Sequence, residues 1–199
     1  IDKWDTGSVT NMTSLFAGAS ALTSLDLSNF DTSKVTTLTG LFSNMTNLNT
    51  LNLSSWDTSA ATAYGTVFTG ASKLQHLTLG KDFTFHNATT MALPDASSTS
   101  PYTGKWQLAT TGTTYTASDL MTTYDGSTMA GQYNWSGAGN VTVKYVDTQG
   151  NSIAADDVLS GDVGSAYTTT AKTIAGYTLN TTPTNATGNF TAGTTTVTY

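Results

Sequence analysis

Residues 4–16 read WDTGSVTNMTSLF. The same motif recurs as FDTSKVTTLTGLF at residues 30–42 and, with more substitutions, as WDTSAATAYGTVF at residues 56–68. The spacing is 26 residues each time, and it holds without insertion at other positions, such as Leu25 and Leu51. A fixed period of this length is typical of stacked structural repeats. Because one such unit cannot bury its apolar face alone, the sequence predicts a solenoid of stacked copies.

The central copy, residues 30–55, predicts the local structure of one repeat. Four apolar residues recur in it at spacings of three and four: Val35, Leu38, Phe42 and Met45. This pattern favours one face of a short helix, and Asp31 and the following Thr and Ser are suited to cap its first turn. The period then changes to two at Leu51 and Leu53, which indicates a strand.

The repeats resemble the leucine-rich repeats of the BspA type found in bacterial surface proteins. The resemblance covers residues 4–80 and rests on the motif W/F-D-T-S-x-V-T-x-M/L-x-x-L/V-F, followed by A/G-x-x-L-x-x-L-x-L. The third copy departs from it, with Ala61 in place of Val and Tyr64 in place of Met. The resemblance implies a leucine-rich-repeat scaffold and names no ligand.

After Gly80 the sequence period fades, and we expect residues 81–136 to cap the open end of the solenoid. Phe83 and Phe85 alternate as in a strand. The stretch TASDLMTTYDG predicts a short helix capped by Thr116 or Ser118. Its apolar side is Leu120, Met121 and Tyr124, and the dipeptide at 125–126 ends it.

The C-terminal part of the chain has a different pattern. SGAGN at residues 136–140 is suited to a linker. Beyond it, Val141, Val143 and Tyr145 fall on one face of a predicted strand, and Lys144 falls on the other.

Residues 140–199 resemble the mucin-binding-protein (MucBP) domain. The matching positions are Tyr145-Val146-Asp147, Gly150, Gly161, Gly164, Tyr167 and Gly176-Tyr177. The resemblance implies a small β-rich domain of β-grasp type. We therefore expect an α+β multidomain chain, with repeats at 1–80, a cap at 81–136 and a MucBP-type domain at 137–199.

Composition excludes several classes of function. The chain has 13 Asp, 7 Lys, no Arg, no Glu and no Cys, for a net charge of −6. Nucleic-acid binding needs clustered basic residues, which are absent, and the 44 Thr favour strands and polar surfaces. There is no apolar run of membrane-spanning length, so direct membrane insertion is not expected. Because the sequence opens inside a repeat, we expect it to be a segment of a longer protein.

No catalytic motif stands out, and neither an enzyme nor a cofactor is predicted. His76 and His86 lie in no metalloprotease or serine-nucleophile motif. Asp5, Asp31 and Asp57 recur in phase, and a ladder of carboxylates would attract calcium. The alternative, which we favour, is that each Asp accepts local amide hydrogens from the residues after it.

The predicted function is a non-catalytic adhesin, extracellular and either attached to the cell wall or secreted. Its expected partners are host mucin, glycoprotein, glycan or extracellular-matrix protein, bound weakly at each site and strongly by an array. Candidate ligand residues are Asp26, Asn52 and His76 on the outward strand face of the repeats. The alternative function is a passive stalk. The aromatic residues of the C-terminal domain predict either a sugar-stacking platform or a core, and we favour the core: Tyr145, Tyr167, Tyr177, Phe190 and Tyr199.

Overall fold

The computed structural model describes residues 3–199, which divide into two compact units. Unit 1 comprises the described residues up to Ser98 together with Gly104–Trp135. Unit 2 comprises Thr99–Thr103 and Ser136–Tyr199. Each unit has its own hydrophobic core.

The chain is mostly β. In chain order the elements are β1 (Ser24–Asp26), β2 (Thr50–Leu53), β3 (His76–Leu79), α1 (Ala88–Met91), β4 (Tyr102–Leu108), β5 (Thr114–Tyr115), α2 (Ala117–Thr123), α3 (Gly126–Met129), β6 (Gly131–Val146), β7 (Ser152–Asp162), β8 (Ala166–Thr168), β9 (Thr187–Asn189) and β10 (Gly193–Thr198). The three helices are short, with 4, 7 and 4 residues, so the helical part of the expected α+β composition is small.

The repeat period is expressed directly in the sheet of unit 1. Strands β1, β2 and β3 pair in parallel, and the register joins Leu25 to Leu51 and Leu51 to Leu77, one period apart. These leucines point into the core, with exposed fractions of 5% or less. The first residues of β6 then pair antiparallel with β3, with Asn134 opposite His76.

The short helix predicted in each repeat does not form. The four apolar residues predicted to face the core are buried: Val35, Leu38, Phe42 and Met45. The backbone, however, makes successive turns, with Leu41 N–H donating to Leu38 O and Ser43 N–H donating to Gly40 O. Between these turns, alternate amides bond the next repeat, as Phe42 N–H does to Val67 O. Positive φ angles recur at two positions of every repeat, namely Ser14, Gly40 and Thr66, and Gly18, Asn44 and Gly70. Left-handed residues cannot belong to a right-handed helix, which explains the error.

Aromatic side chains stack along the core of the repeats. The ring centroids of Phe16 and Phe42 are 5.9 Å apart, and those of Phe42 and Phe68 are 5.7 Å apart. A second column places Phe30 and Trp56 at 6.5 Å. Because equivalent positions stack on each other, each repeat buries the apolar face of its neighbour.

The backbone ladder continues where the sequence period fades. Thr84 N–H donates to the Thr58 hydroxyl at 2.8 Å, and Phe68 N–H donates to Met91 O at 3.0 Å. Phe83 and Phe85 are buried but belong to no strand, so that prediction is wrong. Their rings pack edge to face at 4.9 Å, and residues 83–85 keep the predicted buried–exposed–buried pattern without pairing as a strand.

The predicted helix after residue 116 is confirmed as α2. The Thr116 hydroxyl accepts a hydrogen bond from Asp119 N–H, and Leu120 and Met121 are buried. Asp125 follows as the N-cap of α3, where its carboxylate accepts from Ser127 N–H. This segment packs on the last repeat through Tyr124, whose hydroxyl donates to Gly80 O at 2.7 Å.

Unit 2 is a small β-rich body. In it, β6 pairs antiparallel with β7 and parallel with β10, while β8 and β9 form a separate pair. Val141, Val143 and Tyr145 face the core as predicted, with Val197 and Phe190 beside them. Residues 136–140 do not form a linker, because they are part of β6. Ala138 pairs with β7, and Gly139 and Asn140 pair with both β7 and β10. Glycine suits position 139 because a Cβ there would overlap the carbonyl oxygen of Thr191 and lie 2.9 Å from Phe190 Cβ.

Candidate functional site

Unit 2 carries an open cleft of about 510 Å³. One side is formed by the segment that follows β8, where Tyr177 N–H donates to Ile174 O and closes a four-residue turn. Gly176, at the third position of this turn, has φ = +83°, which a type II turn requires there. The turn presents Tyr177 and, two residues on, Leu179, each 51% exposed.

The other side of the cleft is a pair of stacked tyrosines. The rings of Tyr145 and Tyr199 lie 5.9 Å apart at an angle of 17°. Their hydroxyls are already used, because Tyr145 donates to Asp157 Oδ2 at 3.0 Å and Tyr199 bonds the Thr169 hydroxyl at 2.8 Å. Burial, and then the hydrogen bond to Asp157, raises the pKa of Tyr145 to about 12.

The positive charge in the cleft is paired with a carboxylate. Among its lining residues the charged side chains are Asp147 and Lys172. The Lys172 ammonium lies 2.7 Å from Asp157 Oδ1 and 4.5 Å from the centre of the Tyr145 ring. Its positive charge is therefore shared between a carboxylate and an aromatic face.

Asp147 organises the loop at one end of the cleft. Its carboxylate accepts three hydrogen bonds at 2.9 Å, from Gln149 N–H, Asn151 N–H and the Asn151 side chain. The bonds from Asn151, and more weakly those from residues 149 and 150, lower the pKa of Asp147 below its usual value. The group stays ionised at neutral pH and gives this end of the cleft a negative charge.

The predicted alternatives for the C-terminal aromatic residues are thus separated by the structure. Tyr145, Tyr167 and Phe190 are core residues, with exposed fractions of 3–7%. Tyr177 is the exposed one, and Leu179 was not singled out from the sequence. The sequence feature that indicates the exposure of Tyr177 and Leu179 is the stretch IAGYTL at residues 174–179, where apolar residues accompany a glycine-containing turn.

The second candidate surface is the outward strand face of the repeats, where the three predicted ligand residues lie. Asp26 and Asn52 are opposite each other in the register of β1 and β2, and Asn52 donates a hydrogen bond to the Asp26 carboxylate. Hydrogen bonds from Ser28, and then from Asn52, lower the pKa of Asp26. His76 lies on β3 opposite Thr50, two residues before the residue that pairs with Asn52. Its Nδ1 is 2.6 Å from Asn134 Oδ1.

The column of aspartates makes the local bonds that the second alternative predicts. Asp5, Asp31 and Asp57 each accept a hydrogen bond from the backbone amide two residues later, at 2.9–3.1 Å. Across residues 3–199, no three side chains of the His, Cys, Asp or Glu type come together as a metal site. Within the same residues, no helix is long and apolar enough to cross a membrane.

Two family models match the chain, and they cover different parts of it. The model described as "Mycoplasma protein of unknown function, DUF285" matches residues 1–106, more than half of the chain. The model described as "MucBP domain" matches residues 140–199.

Two curated relatives are both named Internalin J, from Listeria monocytogenes serotype 4b and serovar 1/2a. They are 56% and 52% identical to this chain over 59 residues, which is 30% of the chain. The match spans 6% and 7% of the length of these relatives.

Proposed function

Because the chain belongs to the DUF285 family and also carries a MucBP domain, we propose that it is part of a non-catalytic bacterial surface adhesin. Its partner is host mucin, another glycoprotein or a glycan. We further propose that it is displayed outside the cell, attached to the wall or secreted. The MucBP match over residues 140–199 and the similarity to Internalin J support this function.

We propose that the two units are a BspA-type leucine-rich-repeat solenoid and a β-grasp domain. The parallel strands one period apart and the stacked aromatic columns support the first assignment. The strand arrangement around β6 is consistent with the second.

The observation that carries the binding function is the cleft of unit 2. Protein surfaces that bind small ligands are concave, mainly apolar and supplied with a few polar groups. The cleft is concave and combines apolar with polar groups, since Tyr177 and Leu179 are half-exposed in it and threonine and asparagine residues also line it. An exposed tyrosine offers a large amphipathic contact area at low conformational cost.

A single contact of this kind is weak, so adhesion requires many copies. The cleft is open and presents one freely exposed ring, and the 7 lysines are too few to hold an anionic surface by charge. Many weak sites on one cell or bead raise the total affinity without any new contact.

The second candidate is a passive stalk, and unit 1 favours it. The stacked phenylalanines of its repeats are buried, and its outward strand face is polar, with Asp26, Asn52 and His76 bonded to neighbouring side chains or turns. A surface with no exposed aromatic residue on its strands provides spacing more readily than affinity.

Retention on immobilised mucin distinguishes the two functions. We expect the intact chain to bind weakly as a monomer and at least about tenfold more strongly when coupled to beads. Retention should change little between low and high salt, because the contacts are uncharged. Beads that pass a mucin column unretained at both salt concentrations would contradict the adhesin and favour the stalk.

A further inference from the structure

We propose that the cleft of unit 2 binds an uncharged sugar residue and discriminates against sialylated and sulfated ones, with the exposed ring of Tyr177 stacked on one face of the sugar. This inference rests on the proposed function and names the ligand class of its site.

The shape of the cleft suits a small carbohydrate. Its volume of about 510 Å³ lies inside the range of roughly 300–1,000 Å³ that is common for small-molecule sites. A pyranose has C–H groups on its faces and hydroxyl groups around its edge. It therefore needs an aromatic or aliphatic surface bordered by hydrogen-bonding groups, and the cleft provides both.

Tyr177 is held in place for this role by its turn. The bond from Tyr177 N–H to Ile174 O and the left-handed Gly176 fix the backbone on which the ring stands. The ring is 51% exposed, whereas Tyr145 in the same cleft is 3% exposed. Leu179, also 51% exposed, extends the apolar contact.

Hydrogen-bonding groups border this apolar surface. Thr148, Asn180, Thr181 and Thr198 line the cleft, so hydroxyl and amide groups lie around the exposed ring and leucine. These are neutral donors and acceptors, which suit sugar hydroxyl groups.

The charges of the cleft decide between neutral and anionic sugars. The ammonium of Lys172 is paired with Asp157 at 2.7 Å, so an incoming carboxylate or sulfate would have to compete with an existing ion pair. Asp147 stays ionised and adds a negative charge at the end of the cleft. An anionic sugar is repelled here, because like charges without a free cation destabilise binding.

The test compares four forms of the intact chain on a glycan array. The probes are N-acetyllactosamine, its α2,3-sialylated form and its 6-sulfated form, with each protein form displayed on beads. The wild type is compared with Tyr177→Ala, Tyr177→Trp and Val158→Ala. Val158 is a matched control, because it is 66% exposed in unit 2 and does not line the cleft.

We expect the wild type and Val158→Ala to prefer the neutral probe over both anionic ones, and Tyr177→Trp to keep that binding. Tyr177→Ala should lose about tenfold or more of it, because the stacking surface is gone. Since Tyr177 is exposed, the variant should melt at the wild-type temperature.

Three results would overturn the inference in different ways. Equal binding by Tyr177→Ala and the wild type, with both retained on mucin, rejects this site and leaves the adhesin function standing. A preference for the sialylated or sulfated probe rejects the charge argument. If wild-type beads bind neither mucin nor any probe, the proposed function and the inference both fail.

Discussion

Leu15 and Leu41 are the same residue at the same position of two successive repeats, yet their environments differ. Both donate the backbone N–H of an equivalent turn, to Met12 O and Leu38 O respectively. Leu41 has no exposed surface, whereas Leu15 is 44% exposed. Replacing each by Ala therefore tests the packing of the repeats while residue type and local backbone stay constant.

The expected costs follow from burial. Leu41→Ala removes a fully buried side chain and leaves a cavity, which costs about 2–5 kcal/mol. Leu15→Ala removes a half-exposed side chain that water can replace, so only part of the roughly 1.5–3 kcal/mol for burying a leucine is lost, about 1 kcal/mol or less. At about 3–5 °C per kcal/mol, the melting temperature of unit 1 should fall by about 6–25 °C for Leu41→Ala and by under about 5 °C for Leu15→Ala.

Tryptophan fluorescence measures this unfolding selectively. All four tryptophans belong to unit 1: Trp4, Trp56, Trp106 and Trp135. Urea or thermal unfolding followed by their emission therefore reports unit 1 in the intact chain. Equal shifts for the two variants would refute the stacking order, because the described burial predicts at least a twofold difference in cost.

Three further predictions concern stability. Excess chelator should leave the melting temperature of unit 1 unchanged, since Asp5, Asp31 and Asp57 accept local amide bonds; a loss that calcium restores would contradict this. Unit 2 should lose stability between pH 10 and about 12, as followed by tyrosine absorbance and circular dichroism. The folded state raises the pKa of Tyr145 above its usual value of 10, so in this pH range the folded chain keeps a proton that the unfolded chain releases. Unchanged stability would refute the raised pKa. Gly80→Ala should destabilise unit 1 by about 1–3 kcal/mol or more, because the new Cβ would overlap the carbonyl of Ser54, which no rotamer change can move; wild-type melting would show that the backbone yields.

Repeat phase and buried positions were predictable because the sequence repeats both without insertion. Leu25, Leu51 and Leu77 are one period apart and are paired in register. The helix was mispredicted because successive turns also bring apolar residues inward at spacings of three and four. The signal against a helix was Gly40 and Asn44, two residues that favour left-handed backbone inside the supposed helix.

The cleft was harder to foresee, because it depends on how separate segments pack. Tyr145 and Tyr177 are both tyrosines of unit 2, but one is buried on a central strand and the other stands on a turn. Alternation along the sequence predicts which residues share a strand face. It does not predict which loop folds over that face and which ring stays in solvent.

The adhesin and the stalk need not be exclusive, because the two units distribute their aromatic residues differently. Unit 1 uses Phe16, Phe42 and Phe68 for stacking, which stabilises the repeats and leaves little apolar surface on the strands. Unit 2 keeps Tyr177 and Leu179 exposed, so these two side chains contribute less apolar burial to its own stability. If one such cleft binds with a Kd of about 1 mM, the free energy is about −4 kcal/mol, too little to hold a cell. In that case we expect retention to depend on how many clefts reach a partner together, and spacing by the repeats would contribute to it.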